Sequence, residues 1–190
     1  MIAKSDDSGF TGLEAAIVLI AFVVVAAVFS YVVLGAGFFT TQKSQETVYK
    51  GVEQATSNIQ MIGTVYGIDS AGAGSIDLVK FSIGLAPGAP AVDLTKMLIV
   101  VTQPDQNNAV TTLTYSADAA AGTNFGVMNP ATSKNDRSLS GQDQETVSIA
   151  LGTGLAANNK ITIEMRPGVG AALPFTRTAP ATIGKSQPLY

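Results

Sequence analysis

From Ala15 to Gln42 the chain runs for 28 consecutive residues without a charge, and from Ala15 to Phe39 it is almost wholly apolar, broken only by Ser30, Tyr31, Gly35 and Gly37. About 20 apolar helical residues cross the roughly 30 Å hydrocarbon layer of a membrane, so this run is long enough to span one. A secretory signal carries a shorter apolar core, about 7 to 15 residues, behind a basic leader. Here Met1 to Gly9 holds Lys4 against Asp6 and Asp7, and cutting at Ala26-Ala27-Val28 would leave a new apolar terminus through Phe39. A long helix that persists in the mature protein is therefore expected.

Thr11-Gly12-Leu13-Glu14 reads as a capping box at its start, with Thr11 and Glu14 each satisfying an orphan backbone donor. Glu14 also stands at the lip of the apolar run, where an unpaired carboxylate carried deep into lipid costs about 2.5 to 3.5 kcal/mol. A cut between Gly9 and Phe10 would supply a partner, the free amine of Phe10. Beyond the run, Val48, Val52, Ala55, Ile59 and Ile62 are spaced 4, 3, 4, 3, a heptad-like seam that extends the helix to Ile62. Gly35 and Gly37 suit either a kink or close helix contacts. Phe22, Phe29, Gly35, Gly37, Val48, Val52 and Ile59 are the expected helix-packing residues.

The chemistry open to the chain is narrow. With no Cys and no His among 190 residues, thiolate and imidazole metal sites, Cys nucleophiles and His-based triads are excluded. A net charge of −3 and no basic run argue against nucleic acid as a partner. Gly72-Ala73-Gly74 and Gly152-Thr153-Gly154 lack the Lys-Ser/Thr of a phosphate loop and read as linker and hairpin. Asp136, Arg137, Asp143 and Glu145 read as a solvated polar loop rather than a cation site. No cofactor, metal set or catalytic constellation is expected, and no N-linked glycosylation sequon occurs.

After Gly63 the period changes. Short β-rich runs at 76–83, 97–102, 110–115, 147–151 and 160–165 are separated by Pro and Gly, which indicates an all-β sandwich or small barrel. The expected organisation is a leader over 1–9, a helix over 10–62, a Gly/Ser-rich linker over 63–75 and an outer β-domain over 76–190. The fold class is α+β, a long N-terminal hydrophobic helix followed by an immunoglobulin-like sandwich.

The segment Ser8-Gly9-Phe10-Thr11-Gly12-Leu13-Glu14-Ala15-Ala16-Ile17-Val18-Leu19-Ile20-Ala21-Phe22, continued by Gly35-Ala36-Gly37-Phe38-Phe39, resembles the archaeal flagellins (archaellins) of the type IV pilin superfamily. The resemblance implies a short leader cut after Gly9 by a prepilin-type peptidase, Phe10 as the new N-terminus, and assembly roles for Phe10, Gly12 and Glu14. It further implies a non-enzymatic subunit that waits in the cytoplasmic membrane and then polymerises with copies of itself or related archaellins. The product would be an extracellular filament for swimming, turned by the archaellum motor complex. The family's leader is often basic before the cut, whereas Asp6, Asp7 and Ser8 stand there here. An adhesive archaeal type IV pilin and a membrane-anchored extracellular binding module are the alternative readings.

Overall fold

A computed structural model describes residues 7–105, 109–118, 120–130 and 137–190, with the backbone alone given over 7–11. Most of the leader, residues 1–6, and Asp136 of the polar loop lie outside the described residues. The chain divides into two units, Met1–Lys50 and Gly51–Tyr190.

The helix, α1, spans Asp7–Thr56, about 75 Å at 1.5 Å per residue. Val and Ile are only fair helix formers, but the segment contains no Pro and its backbone groups bond within the segment. α1 starts before Thr11, so Thr11 sits inside the helix and the expected capping box is not its start: with Ser8 and Gly9 attached, the backbone already has helical turns upstream. The helix also stops earlier than the seam suggested. Ser57 N–H still reaches Glu53 O at 2.9 Å, but Asn58 N–H turns to Thr56 O at 2.8 Å, and Asn58 O accepts from Ala86 N–H at 3.3 Å. That last bond belongs to the β-domain, which takes over the chain. Ile59 is therefore not a helix-packing residue: it opens strand β1 (Ile59–Ile68) and is buried.

The expected linker is likewise mostly structure. Residues 63–68 lie in β1, and 69–75 form a tight connection to β2 (Ile76–Leu85). The Asp69 carboxylate accepts from the N–H groups of Gly72, Ala73 and Gly74 at 2.7, 3.1 and 2.8 Å. Gly72 and Gly74 hold positive φ of 70° and 73°, which glycine adopts without steric cost.

The remaining strands are β3 (Val92–Asp93), β4 (Leu98–Gln103), β5 (Ala109–Ser116), β6 (Asn124–Met128), β7 (Ser138–Leu139), β8 (Gln144–Leu155), β9 (Lys160–Arg166), β10 (Leu173–Thr178) and β11 (Ser186–Pro188). Among the described residues, nine of the eleven strands form one sheet in the order β10-β9-β4-β5-β6-β8-β2-β1-β11, while β3 and β7 pair separately. Only β5 and β6 run parallel among these pairings.

The layering expected of a sandwich comes from this sheet folding over. Phe81 on β2 and Phe175 on β10, near opposite ends of the order, meet edge to face with ring centroids 5.2 Å apart. The ends are also stitched by the chain terminus: Leu189 N–H donates to Val65 O at 2.9 Å, and Tyr190 N–H to Thr178 O at 3.1 Å. Alternating residues fill the enclosed core, including Val79, Phe81 and Ile83 from β2, Ile99 and Val101 from β4, and Ile161, Ile163 and Met165 from β9. One irregularity shifts the phase of β2. Ile76 and Val79 are both buried because the register with β8 slips between Ile76 and Leu78.

Candidate functional site

The largest unpartnered surface is α1 itself. From Leu13 to Val52 every large apolar side chain is between 51% and 80% exposed, with Phe22 at 73%, Phe29 at 69% and Tyr31 at 80%. The exposed apolar residues recur without a polar face through the run, so no single side of the helix could be hidden by one neighbour. A helix hydrophobic all round is stable only in lipid or among like helices.

Thr40 Oγ1 donates to Ala36 O at 2.8 Å and Thr41 Oγ1 to Gly37 O at 2.9 Å, so both hydroxyls at the end of the run bond within the helix. α1 continues unbroken through Gly35 and Gly37, and a Cβ at Gly12, Gly35 or Gly37 would meet nothing within 4 Å. The bare backbone there is available for close approach by another helix.

The polar part of α1 begins at Lys43. Glu46 receives Lys43 Nζ on one oxygen and Lys50 Nζ on the other, each at 2.7 Å. These hydrogen bonds hold its carboxyl below the usual glutamate pKa. Val48 and Val52 stand exposed beside this ladder, while the rest of the expected seam departs into β1.

Of the other sequence-predicted residues, Glu14 is exposed on α1, and Gly9 and Phe10 lie on its helical backbone. The polar-loop reading fails for Glu145. It is fully buried on β8, where its Oε1 accepts from Asn129 Nδ2 at 2.8 Å. Asp143 stays exposed and accepts from Ser140 Oγ at 3.0 Å. Among the described residues no group of three or more acidic side chains could hold a metal ion. Gly152-Thr153-Gly154 lies within β8, where Thr153 exchanges two 3.1 Å hydrogen bonds with Gln103.

Sequence reasoning missed the device that seats the chain after α1. Ser57 is 1% exposed, and Gly170, between β9 and β10, lies against its carbonyl with φ of 108°. A Cβ on Gly170 would stand 1.8 Å from Ser57 O.

The comparisons with known proteins agree with this geometry. The archaeal-type flagellin family model matches residues 9–177. A probable flagellin of Archaeoglobus fulgidus is 40% identical over 94% of this chain and 93% of its own length. The solved archaeal flagellum of Methanospirillum hungatei is 40% identical, covers 94% of this chain and 98% of its own, and superposes with a TM-score of 0.72. An archaeal flagellin crystal structure from Methanocaldococcus jannaschii, 16% identical, shares the fold over 70% of this chain and 96% of its own, with a TM-score of 0.58.

Proposed function

The chain belongs to the archaeal-type flagellin family and is a filament subunit of the archaeal flagellum; from that premise we propose that α1 serves it twice, first as a membrane anchor and then as the filament core. The observation that carries this is the all-round exposure of an uninterrupted apolar helix. In lipid its apolar side chains are solvated by acyl chains, and in the filament the same side chains pack on those of other copies.

Exchange of one apolar surrounding for another yields little net hydrophobic energy. The change is made directional by processing. A prepilin-type peptidase cuts between Gly9 and Phe10, which removes Asp6 and Asp7 and creates the Phe10 amine. That amine neutralises Glu14, on its own chain or a neighbour's, so the carboxylate enters the apolar interior as half of a pair. Gly12 leaves room for this approach. Phe22, Phe29, Gly35, Gly37, Val48 and Val52 then contact neighbouring helices. The β-domain faces outward, and the filament is extracellular and driven at its base by the archaellum motor complex. The family is structural, and the role assigned here is mechanical rather than enzymatic.

The test is the intact mass of the chain in filaments sheared from cells. A mass of Phe10–Tyr190, with any excess accounted for by sugars, is expected. Recovery from membranes alone, with Met1 to Gly9 still attached, would overturn the storage-and-release scheme in favour of a permanent anchor.

A further inference from the structure

β6 covers β5 only from Thr114 to Ser116, so the first half of β5 is an open edge. Its polarity follows from one hydrogen bond. Thr114 N–H points away from β4, donating to Thr123 O at 3.3 Å. Backbone groups alternate sides along a strand, so the N–H and C=O of Thr112 and Val110 point the same way, while Leu113, Thr111 and Ala109 bond to β4. Among the described residues, no backbone hydrogen bond reaches Val110 or Thr112 on that side.

Other edges are blocked in part, while β11 covers β1 only from Tyr66 to Ile68. On β10, Thr178 faces the open side and is paired with Tyr190, and two steps along that side Pro174 has no N–H to offer. β11 is three residues long and ends in Pro188. The β5 edge, Ala109-Val110-Thr111-Thr112-Leu113, has no charge and no Pro, is rich in β-branched residues, and leaves Val110 63% exposed. Natural proteins blunt such edges when they must stay single.

We propose that the open edge of β5 at Val110 and Thr112 accepts a strand from a second copy of this chain, forming an intersubunit contact between outer domains. The proposal rests on the filament-subunit reading, which supplies the second copy. The helix core gains little net energy on leaving lipid, so contacts between outer domains are needed to favour the polymer. An uncharged edge suits an uncharged strand of a like domain, and backbone pairing fixes the register between subunits in a way side-chain contacts alone do not.

Hydrogen exchange on the full processed chain tests it, comparing intact filaments with the same filaments dispersed in detergent. In filaments, the amides of Val110 and Thr112 are expected to exchange at least about tenfold more slowly. Equal rates overturn the contact. Protection that accompanies a stoichiometric foreign polypeptide in the filament overturns the choice of a second copy. Val110→Pro and Thr112→Pro remove the outward donors without touching the β4 ladder, so folded, processed subunits that form few or short filaments are expected. Normal filaments from both variants, with unchanged circular dichroism, refute the edge and leave the subunit role standing. Absence of wild-type filaments would instead remove the premise.

Discussion

Replacing Gly170 by alanine should loosen the seat of the chain leaving α1, and the size of the effect can be worked from two terms. At φ 108° an L side chain is strained, by about 1 to 3 kcal/mol. The new Cβ would stand 1.8 Å from Ser57 O and 2.9 Å from Ser57 C, and both atoms are backbone, so no rotamer change relieves the overlap. Displacing a packed backbone adds about 1 to 3 kcal/mol, the range for overpacking. The sum centres near 4 kcal/mol, and at about 3 °C per kcal/mol for a unit of this size it lowers the Tm by about 12 °C. Gly88 is the matched control, because its φ is 82° but a Cβ there meets nothing within 4 Å. Gly88→Ala should cost only the conformational part, about 1 kcal/mol. The assay is thermal unfolding of the full chain in detergent, followed by the sheet signal in circular dichroism. If Gly170→Ala melts within 2 °C of Gly88→Ala, a threshold below the roughly 3 °C per kcal/mol scale, the steric seat does not exist.

Three further outcomes are expected. Asn129→Leu withdraws the donor from buried Glu145 Oε1 and should destabilise the β-domain by about 2 kcal/mol, read as a lower urea midpoint of the full chain, whereas an unchanged midpoint would mean the bond contributes nothing. The depressed pKa of Glu46, caused first by its hydrogen bond from Lys43 and then by that from Lys50, makes its support of α1 present above the ordinary glutamate pKa and lost as pH falls through the lowered folded value; hydrogen-exchange protection over residues 43–50, corrected for the slower intrinsic exchange in acid, should therefore fall in the wild type, and a Glu46→Gln chain with the same loss of protection would contradict this. Glu14→Ala should leave leader removal intact but reduce filament yield at least about tenfold if the carboxylate is half of a buried pair, and wild-type filament yield from that variant would refute the neutralisation role.

What was legible in the sequence is what is local. An uncharged, mostly apolar run of 28 residues can only be a helix needing lipid or neighbours, and the alternating runs of β2, β4, β5, β8 and β9 are visible as period-two patterns. The end of α1 was misplaced because Ile59 and Ile62 satisfy a helical seam and a strand equally well, and no Gly or Pro marks the break at Ser57-Asn58. The stop comes from the Ala86 N–H, 28 residues downstream, which takes the Asn58 carbonyl. Glu145 was misread from its polar neighbours, although a signal was present: it is in phase with Val147 and Ile149, the buried side of β8. Gly170 gave no signal at all, since a Gly-Val-Gly turn looks the same whether or not a carbonyl lies beneath it.

The two parts of the chain resolve the same constraint in opposite directions. In the β-domain, the fold-over of one sheet and the stitching of Tyr190 to Thr178 enclose the apolar side chains, so this part is nearly complete in isolation. In α1 the backbone is satisfied internally while every large apolar side chain from Leu13 to Val52 remains outward. A segment of that kind cannot be finished by its own chain. Its stability depends on which surroundings are offered, and under the proposed scheme that dependence lets one sequence reside in a membrane and later in a polymer. The open edge of β5 has the same character on a smaller scale: Val110 and Thr112 are folded but unfinished, and a second copy of the chain supplies the missing partner.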